Sequence, residues 1–525
     1  MSSTSPMTKS GHPKGLYVLF GAEMFERLCY YGMRALLVLY LTKSLLKGDL
    51  EAFGIYGAYT ALVYAAPVAG GKIADSILGY RRAVILGGLM MAVGEFMILG
   101  GGEFFLFAGM AVIIIGNGYF KANISTIVGR LYEDGDPRRD SGFTIFYMGI
   151  NLGAFLATAP LFGVGPLGER FGFTIGFGIA GVGMLIGVAV FILGSKHFEG
   201  QGDIPDKERY RKWAMPTYIG SVVAAPVLFA LLRYGQAIVG YALGGILVFV
   251  VASLLREAFK STKVQRDRII VLLILMVFNV AFWACFEQAG SSLTLFADRN
   301  VDRNFLGLFE FSASGTQSFN PIFILLLGSV FTWLWVALDR KGRNPNIPMK
   351  FGLGILQLGV GYLLVLVGAS MAGDASLVPI YILMFMYMLH TMGELFLSPI
   401  GLSMVTKLAP KHMTGSVMGA WFLSFAFSNY LAAMLAKLTG GEESGGGPIE
   451  SVVELAAKHI DPPGPIRSLV ETAEASISPD FLVDAAKSLA TYTDAYSTMG
   501  YVTVGIGVFL VVLSSPLNKM MHGVK

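Results

Sequence analysis

Long apolar runs, separated by short polar segments, set the pattern of this chain from end to end. A run of about 20 apolar residues crosses a bilayer as a helix. Spans are predicted near 16–42, 52–74, 82–100, 104–126, 141–164, 171–194, 213–233, 237–257, 267–290, 317–338, 350–371, 377–399, 414–437 and 495–514. The spacing reads as six spans, a basic linker, a two-span insertion and six more. It implies an N-terminal bundle over 1–196, the linker with its inserted pair over 197–262, and a C-terminal bundle over 263–525. One large hydrophilic segment, Thr439 to Asp494, is rich in Gly, Pro, Ala and acids. It holds too few large apolar residues for a substantial core of its own. It is expected to be an outer-face cap or a flexible loop, with short helical stretches at Glu450 to His459 and Pro479 to Leu489.

Composition agrees with an all-α membrane protein. Hydrophobic residues make up 54% and charged residues 14% of the 525, against about 25% charged in soluble domains. The positions of the basic residues say more than the net charge of +4. Alternate loops carry Arg81 and Arg82; Arg130, Arg138 and Arg139; Lys207 to Lys212; Arg256 to Arg268; Arg340 to Arg343; Lys407 and Lys411. Cytoplasmic loops retain Lys and Arg, so these loops and both termini are expected in the cytoplasm. Cys29 and Cys285 are the only cysteines, which excludes a disulfide framework and a multi-cysteine metal site. No signal-peptide pattern is read at the start of the chain.

Ionisable groups inside a span are costly, and each is a functional candidate. The first span carries Glu23, Glu26, Arg27 and Arg34 with Tyr30 and Tyr31. At about 100° per residue, Glu23, Glu26, Arg27, Tyr30 and Arg34 fall within an arc of about 100°. Two carboxylates beside a guanidinium can hold a proton in one setting and release it in another; a buried ion pair locking helices together is the bland alternative. Lys121 follows Gly116 and Gly118 in the fourth span, and an acidic partner is expected for it. Tyr147 and Asn151 share a face of the fifth span, as do Trp283 and Glu287 in the ninth. Gln317 and Asn320 precede Pro321, which is expected to free a carbonyl within its helix. His390, Glu394 and Ser398 follow one another at four-residue spacing, and Trp421, Ser424 and Ser428 share a face. The loop from Asp75 to Arg82, with a turn glycine at Gly79, suggests a charge clasp between helices.

Three ordered motifs carry a resemblance to a known family. E-x-x-E-R-L-x-Y-Y at 23–31 resembles the E-x-x-E-R-F-x-Y-Y motif of the proton-dependent oligopeptide transporters, with Leu28 in place of Phe. G-G-K-I-A-D-S-I-L-G-Y-R-R at 70–82 and F-T-I-F-Y-M-G-I-N-L-G-A-F at 143–155 are similar to two further family segments. The resemblance implies the major facilitator fold, in which two six-helix bundles rock about a midplane site, with a two-helix insertion typical of prokaryotic members. The inserted spans hold almost no polar residues and are expected to face lipid.

The resemblance also implies roles. Glu23, Glu26, Arg27, Lys121 and Glu287 would couple protons. Tyr30, Arg34, Tyr64, Lys121, Tyr147, Asn151, Trp283, Gln317, Asn320, Glu394, Ser398 and Trp421 would bind substrate. Arg34 with Glu287, and Asp75 with Arg81 and Arg82, would gate. Arg34 and Lys121 would take a peptide carboxylate and Glu394 its amino terminus. His390 lies outside the family pattern and is expected to pack or to line the pocket. Animal members carry a histidine on the second span that this chain lacks, so carboxylates must move the protons. The implied activity is proton-coupled import of di- and tripeptides across the cytoplasmic membrane of a prokaryote, by a monomer with no cofactor and no nucleic-acid partner. Another small anion or zwitterion (nitrate, an amino acid or a peptide-like drug) is the alternative. An enzyme would need a catalytic constellation such as H-E-x-x-H, and the six histidines are scattered.

Overall fold

The structure, a computed structural model, describes residues 11–133, 136, 138–410, 413–440 and 479–524. Lys411, Glu450 to His459 and residues 441–478 of the predicted outer segment lie outside them. The helices are α1 (Lys14–Leu39), α2 (Asp49–Ile73), α3 (Tyr80–Ile98), α4 (Gly102–Arg130), α5 (Arg138–Thr158), α6 (Val164–Phe171), α7 (Phe173–Gly194), α8 (Lys207–Tyr234) and α9 (Gln236–Lys260). They continue with α10 (Lys263–Phe286), α11 (Ser292–Arg299), α12 (Phe319–Arg340), α13 (Ile347–Met371), α14 (Ile380–Leu408), α15 (Thr414–Ala436) and α16 (Pro479–Met520). Every predicted span falls on one of them.

Among the described residues, 12 helices are long and apolar enough to cross a membrane. Two further helices over predicted spans are set apart by their charge. α1 carries Lys14, Glu23, Glu26, Arg27 and Arg34, and α3 carries Arg81, Arg82 and Glu95. The chain is a multi-pass helical membrane protein.

Two compact units are drawn from these helices. One comprises Met1–Met33 and Leu62–Tyr234, the other Arg34–Ala61 and Gly235–Lys525. The predicted inserted pair is divided, with α8 in the first and α9 in the second. α8 packs on α4, where the Tyr119 and Ser221 hydroxyls lie 2.8 Å apart. α9 packs on α10 and α15.

Within each unit, small residues let backbones meet, the usual device where lipid removes any hydrophobic drive between helices. A Cβ added at Gly116 would come within 2.6 Å of the Gly87 carbonyl, and one at Gly70 within 2.0 Å of the Gly118 carbonyl. The glycines before Lys121 therefore seat α4 against both α3 and α2. In the second unit, Gly354 and Gly393 bring α13 to α14, and Gly352 and Gly507 bring α13 to α16.

Several elements depart from the sequence expectation. The fifth span stops at Thr158, six residues early, because Pro160 disfavours helix in the residue before it; a short turn and α6 follow. The stretch Pro479 to Leu489 is helical as expected, but it does not stand apart in the outer segment: it opens α16, which runs unbroken for 42 residues into the last span. Tertiary contacts hold this extension. Asn300 donates to the Ala485 carbonyl at 3.0 Å, Ser488 donates to Asn300 at 2.7 Å, and Tyr492 packs on Phe296. Pro321 stands in the first turn of α12, directly after the 3-10 turn Ser314–Ser318, so it marks a helix start rather than a break within a span. Two short ladders, Val301–Asp302 with Val378–Pro379 and Asn304–Phe305 with Phe309–Glu310, were not expected. In the α4–α5 turn, the Arg138 guanidinium beside Asp136 holds its carboxyl down at about 2, so that contact stays charged throughout the physiological range.

The loop before α3 needs its glycine. Gly79 has φ +74°, and a Cβ there would lie 2.6 Å from the Asp203 carbonyl oxygen. We expect Gly79→Ala to cost about 1–3 kcal/mol of strain. The melting temperature of the purified protein should fall, whereas Gly220→Ala, where a Cβ meets open space, should leave it unchanged. Equal melting temperatures for the two variants would contradict this.

Candidate functional site

The first unit gathers the α1 acids around two cations. Arg27 makes a forked pair with its neighbour Glu26, with Nε and Nη2 each donating at 2.5 Å. Asn117 on α4 donates to the same carboxylate at 3.1 Å. Glu23 lies one turn back. Its Oε1 accepts from Lys121 Nζ at 2.9 Å and stands 3.5 Å from Arg27 Nε. Its Oε2 is buried and, among the described residues, has no hydrogen-bond partner. Glu23, Glu26 and Arg27 are closed off from solvent, while the Lys121 side chain keeps 29% of its exposure. The expected acidic partner of Lys121 is therefore Glu23.

With both carboxylates ionised, the four groups sum to zero charge, the condition under which burial is tolerable. Aromatic rings complete the wall. Arg27 lies 4.9 Å from the Tyr30 ring centroid, and Tyr30 packs edge-on against Tyr31 and Tyr64. On α5, Asn151 spends its amide donor on the Tyr147 carbonyl of its own helix at 3.0 Å.

Arg34, though on the same predicted arc, joins the other unit. Its Nη2 pairs with Glu287 Oε2 at 2.6 Å, and its Nε donates to the Tyr56 hydroxyl at 2.7 Å. Gly290 makes room, since a Cβ there would sit 1.9 Å from that hydroxyl. Glu287 stands just past the end of α10, in the 3-10 turn Glu287–Gly290. Arg34 and Glu287 thus form a buried ion pair within the second unit.

Glu394 on α14 accepts from Asn320 Nδ2 at 2.9 Å, and the same amide reaches Thr391 Oγ1 at 3.1 Å. The four-residue stripe His390–Glu394–Ser398 does not act as one face. His390 is buried against Tyr362 of α13, ring centroids 4.5 Å apart, while Glu394 turns to α12. His390 packs. Ser398 is half-buried. Trp421 fits where α14 has Gly401; a Cβ there would lie 2.6 Å from the indole. Trp283 donates to Asn279 at 3.1 Å, Asn279 donates to Ser424 at 3.2 Å, and Ser424 donates to the Trp421 carbonyl at 2.6 Å. Gln317 donates to Thr294 at 2.8 Å. Asn117 and Asn279 were missed by the sequence reading. The signal for Asn117 was its place one turn before Lys121.

The side chains of the loop at 75–82 reach different partners. Asp75 accepts from the Tyr80 hydroxyl at 2.5 Å, Arg81 pairs with Asp203 at 2.8 Å, and Arg82 stacks on Tyr210 at 4.5 Å. The two arginines thus tie the loop to the linker and to α8. A cavity of about 670 Å³, lined by Ser125, Arg130, Arg139 and Gln201 among others, lies beyond Lys121 along α4. None of its lining residues belongs to the acid–base cluster. Among the described residues, no group of three His, Cys, Asp or Glu side chains is placed to hold a metal.

Known proteins share this sequence and shape. A peptide transporter of Yersinia enterocolitica, YePEPT, is 37% identical over 455 residues, covering 81% of this chain and 88% of that protein. The dipeptide and tripeptide permease A of Serratia proteamaculans is 31% identical over 510 residues, covering 97% and 92%. The crystal structure of a peptide transporter POT in complex with sulfate superposes with a TM-score of 0.79 at 34% identity, covering 98% of this chain and 97% of that one. The sequence also matches the family described as PTR2, POT family, over residues 81–446. The chain belongs to the POT family.

Proposed function

We propose that this protein imports di- and tripeptides together with protons, by alternating access, across the cytoplasmic membrane of a prokaryote. The observation that carries the reading is the unpartnered Oε2 of Glu23, beside a lysine held by the other oxygen of the same carboxylate. Both Glu26 oxygens are already engaged by the Arg27 fork, so Glu23 is the acid with room for a proton. Protonating it leaves the cluster with one positive charge in excess. That excess falls on Lys121, the most open member.

A peptide carboxylate is the anion that restores neutrality, so proton and peptide stabilise one another at the site. Arg34 is the second cation for that carboxylate, and it is released when Glu287 takes up a proton. Glu394 receives the peptide's amino terminus, with Asn320 orienting it. Tyr30, Tyr64, Tyr147, Asn151, Trp283, Gln317, Ser398 and Trp421 supply the remaining contacts. Asp75, Arg81 and Arg82 steady the gate. The permease named for di- and tripeptides among the relatives supports this substrate class.

Purified protein in liposomes should accumulate dialanine when the outside is acidic and lose the accumulated excess on addition of a protonophore. Accumulation that ignores the protonophore would sink the proton-coupling claim.

A further inference from the structure

Glu95 is a buried carboxyl that none of the roles above uses. It lies on α3, one turn before the α3–α4 connection at Leu99–Gly101, and is 0% exposed. Its Oε1 accepts from the Cys29 thiol at 3.5 Å, and its Oε2 has no partner among the described residues. Among the described residues no cation pairs with it. The elements packed around it bring little that titrates. α4 presents Gly109 and Ile113 at the neighbouring Gly94, α7 presents Gly181, and α7 has no charged residue along its length. α1 brings Cys29, with Glu26 and Arg27 within one turn of it on the same helix.

A carboxylate at this place would be a buried charge with only a thiol for solvation, whereas a carboxylic acid would not. Intramembrane acids of this kind mark proton relays. The α3–α4 connection lies at the opposite end of α3 from the Asp75–Arg82 loop, on the side that the charge pattern assigns to the exterior.

We propose that Glu95 is a proton-carrying acid that feeds the Glu23–Glu26–Arg27–Lys121 cluster from the side opposite the basic loops, with Cys29 as its positioning partner. The acid gives one proton to a cluster carboxylate and is refilled from that side, so no other reactant is required. Cys29 links the two sites, being three residues from Glu26 on α1 and bonded to Glu95 on α3. The inference rests on the proton-coupled reading above.

The test compares the full-length protein with Glu95→Gln, which keeps the shape and cannot ionise, in the same liposomes. Gradient-driven dialanine uptake should fall at least tenfold while counterflow stays within twofold, and Glu95→Asp should restore part of the driven uptake. Infrared difference spectra of the unaltered protein between acid and alkaline pH should contain a protonated-carboxyl band that Glu95→Gln lacks. Should Glu95→Gln fail to fold, Cys29→Ala serves instead, and the pH midpoint of driven uptake should move. Unchanged driven uptake in Glu95→Gln, no band lost, or an unmoved midpoint in Cys29→Ala would each overturn the inference, provided that uptake by the unaltered protein is protonophore-sensitive. If that uptake ignores the protonophore, the symport reading fails as well.

Discussion

Glu23→Gln, Glu26→Gln and Lys121→Ala should each abolish gradient-driven peptide uptake. The three residues share one charge-balanced site. Lys121 holds Glu23 at 2.9 Å, and Glu26 neutralises Arg27 through two short bonds. Removing one partner from a buried ion pair costs about 3–5 kcal/mol, and each 1.4 kcal/mol is a factor of ten. That cost falls on stability, whereas the loss of driven uptake follows from removing a member of the coupling site.

Counterflow separates the roles, because exchange of labelled for unlabelled peptide needs no net proton movement. Glu23→Gln mimics the protonated acid and should keep counterflow. Lys121→Ala removes the cation that meets the peptide carboxylate and should lose it. Near-normal driven uptake in all three variants would leave the cluster with a purely structural role.

How much of this was legible beforehand depends on the kind of interaction. The α1 acids were visible because charge inside an apolar run has few benign explanations. Their shared arc followed from the helical period alone. The period could not show that the arc is divided. Glu23, Glu26, Arg27 and Tyr30 turn toward Lys121 and Asn117, whereas Arg34 pairs with Glu287 and Tyr56. Which carboxylate Lys121 chooses is a tertiary fact that spacing along the chain does not contain.

Equal spacing misled at 390–398. Four residues on a helix still leave an offset of about 40°, enough for His390 to face α13 while Glu394 faces α12. Of the first 16 residues of α16, those from Pro479 to Leu489 were read as a short helix, and only their unbroken junction with the last span was not legible. Their helix is stabilised by Asn300 and Phe296, far away in sequence. Glu95 was overlooked although it obeys the same rule that exposed Glu23: one acid in an otherwise apolar run. It belongs to no motif, and the motifs drew the attention.

The comparison of Glu394→Gln with the unaltered protein should depend on whether the ligand carries an amine. Glu394 is buried on α14, and Asn320 donates to its Oε2 at 2.9 Å. Its Oε1 is the oxygen proposed to meet the substrate cation. In a site shielded from water, a charge-assisted bond to an ammonium contributes about 1.5–3 kcal/mol. Its removal leaves the ammonium desolvated and unpaired, which adds to the loss. Native dipeptides should therefore bind at least about tenfold more weakly to Glu394→Gln. N-acetylated dipeptides bring no positive charge and should lose much less. The glutamine can still accept from Asn320, so the local packing of α12 against α14 is preserved. Competition against labelled dialanine, with both ligand types and both proteins, gives the four affinities needed. If the two ligands weaken equally, Glu394 supports or gates the helices and does not read the amino terminus.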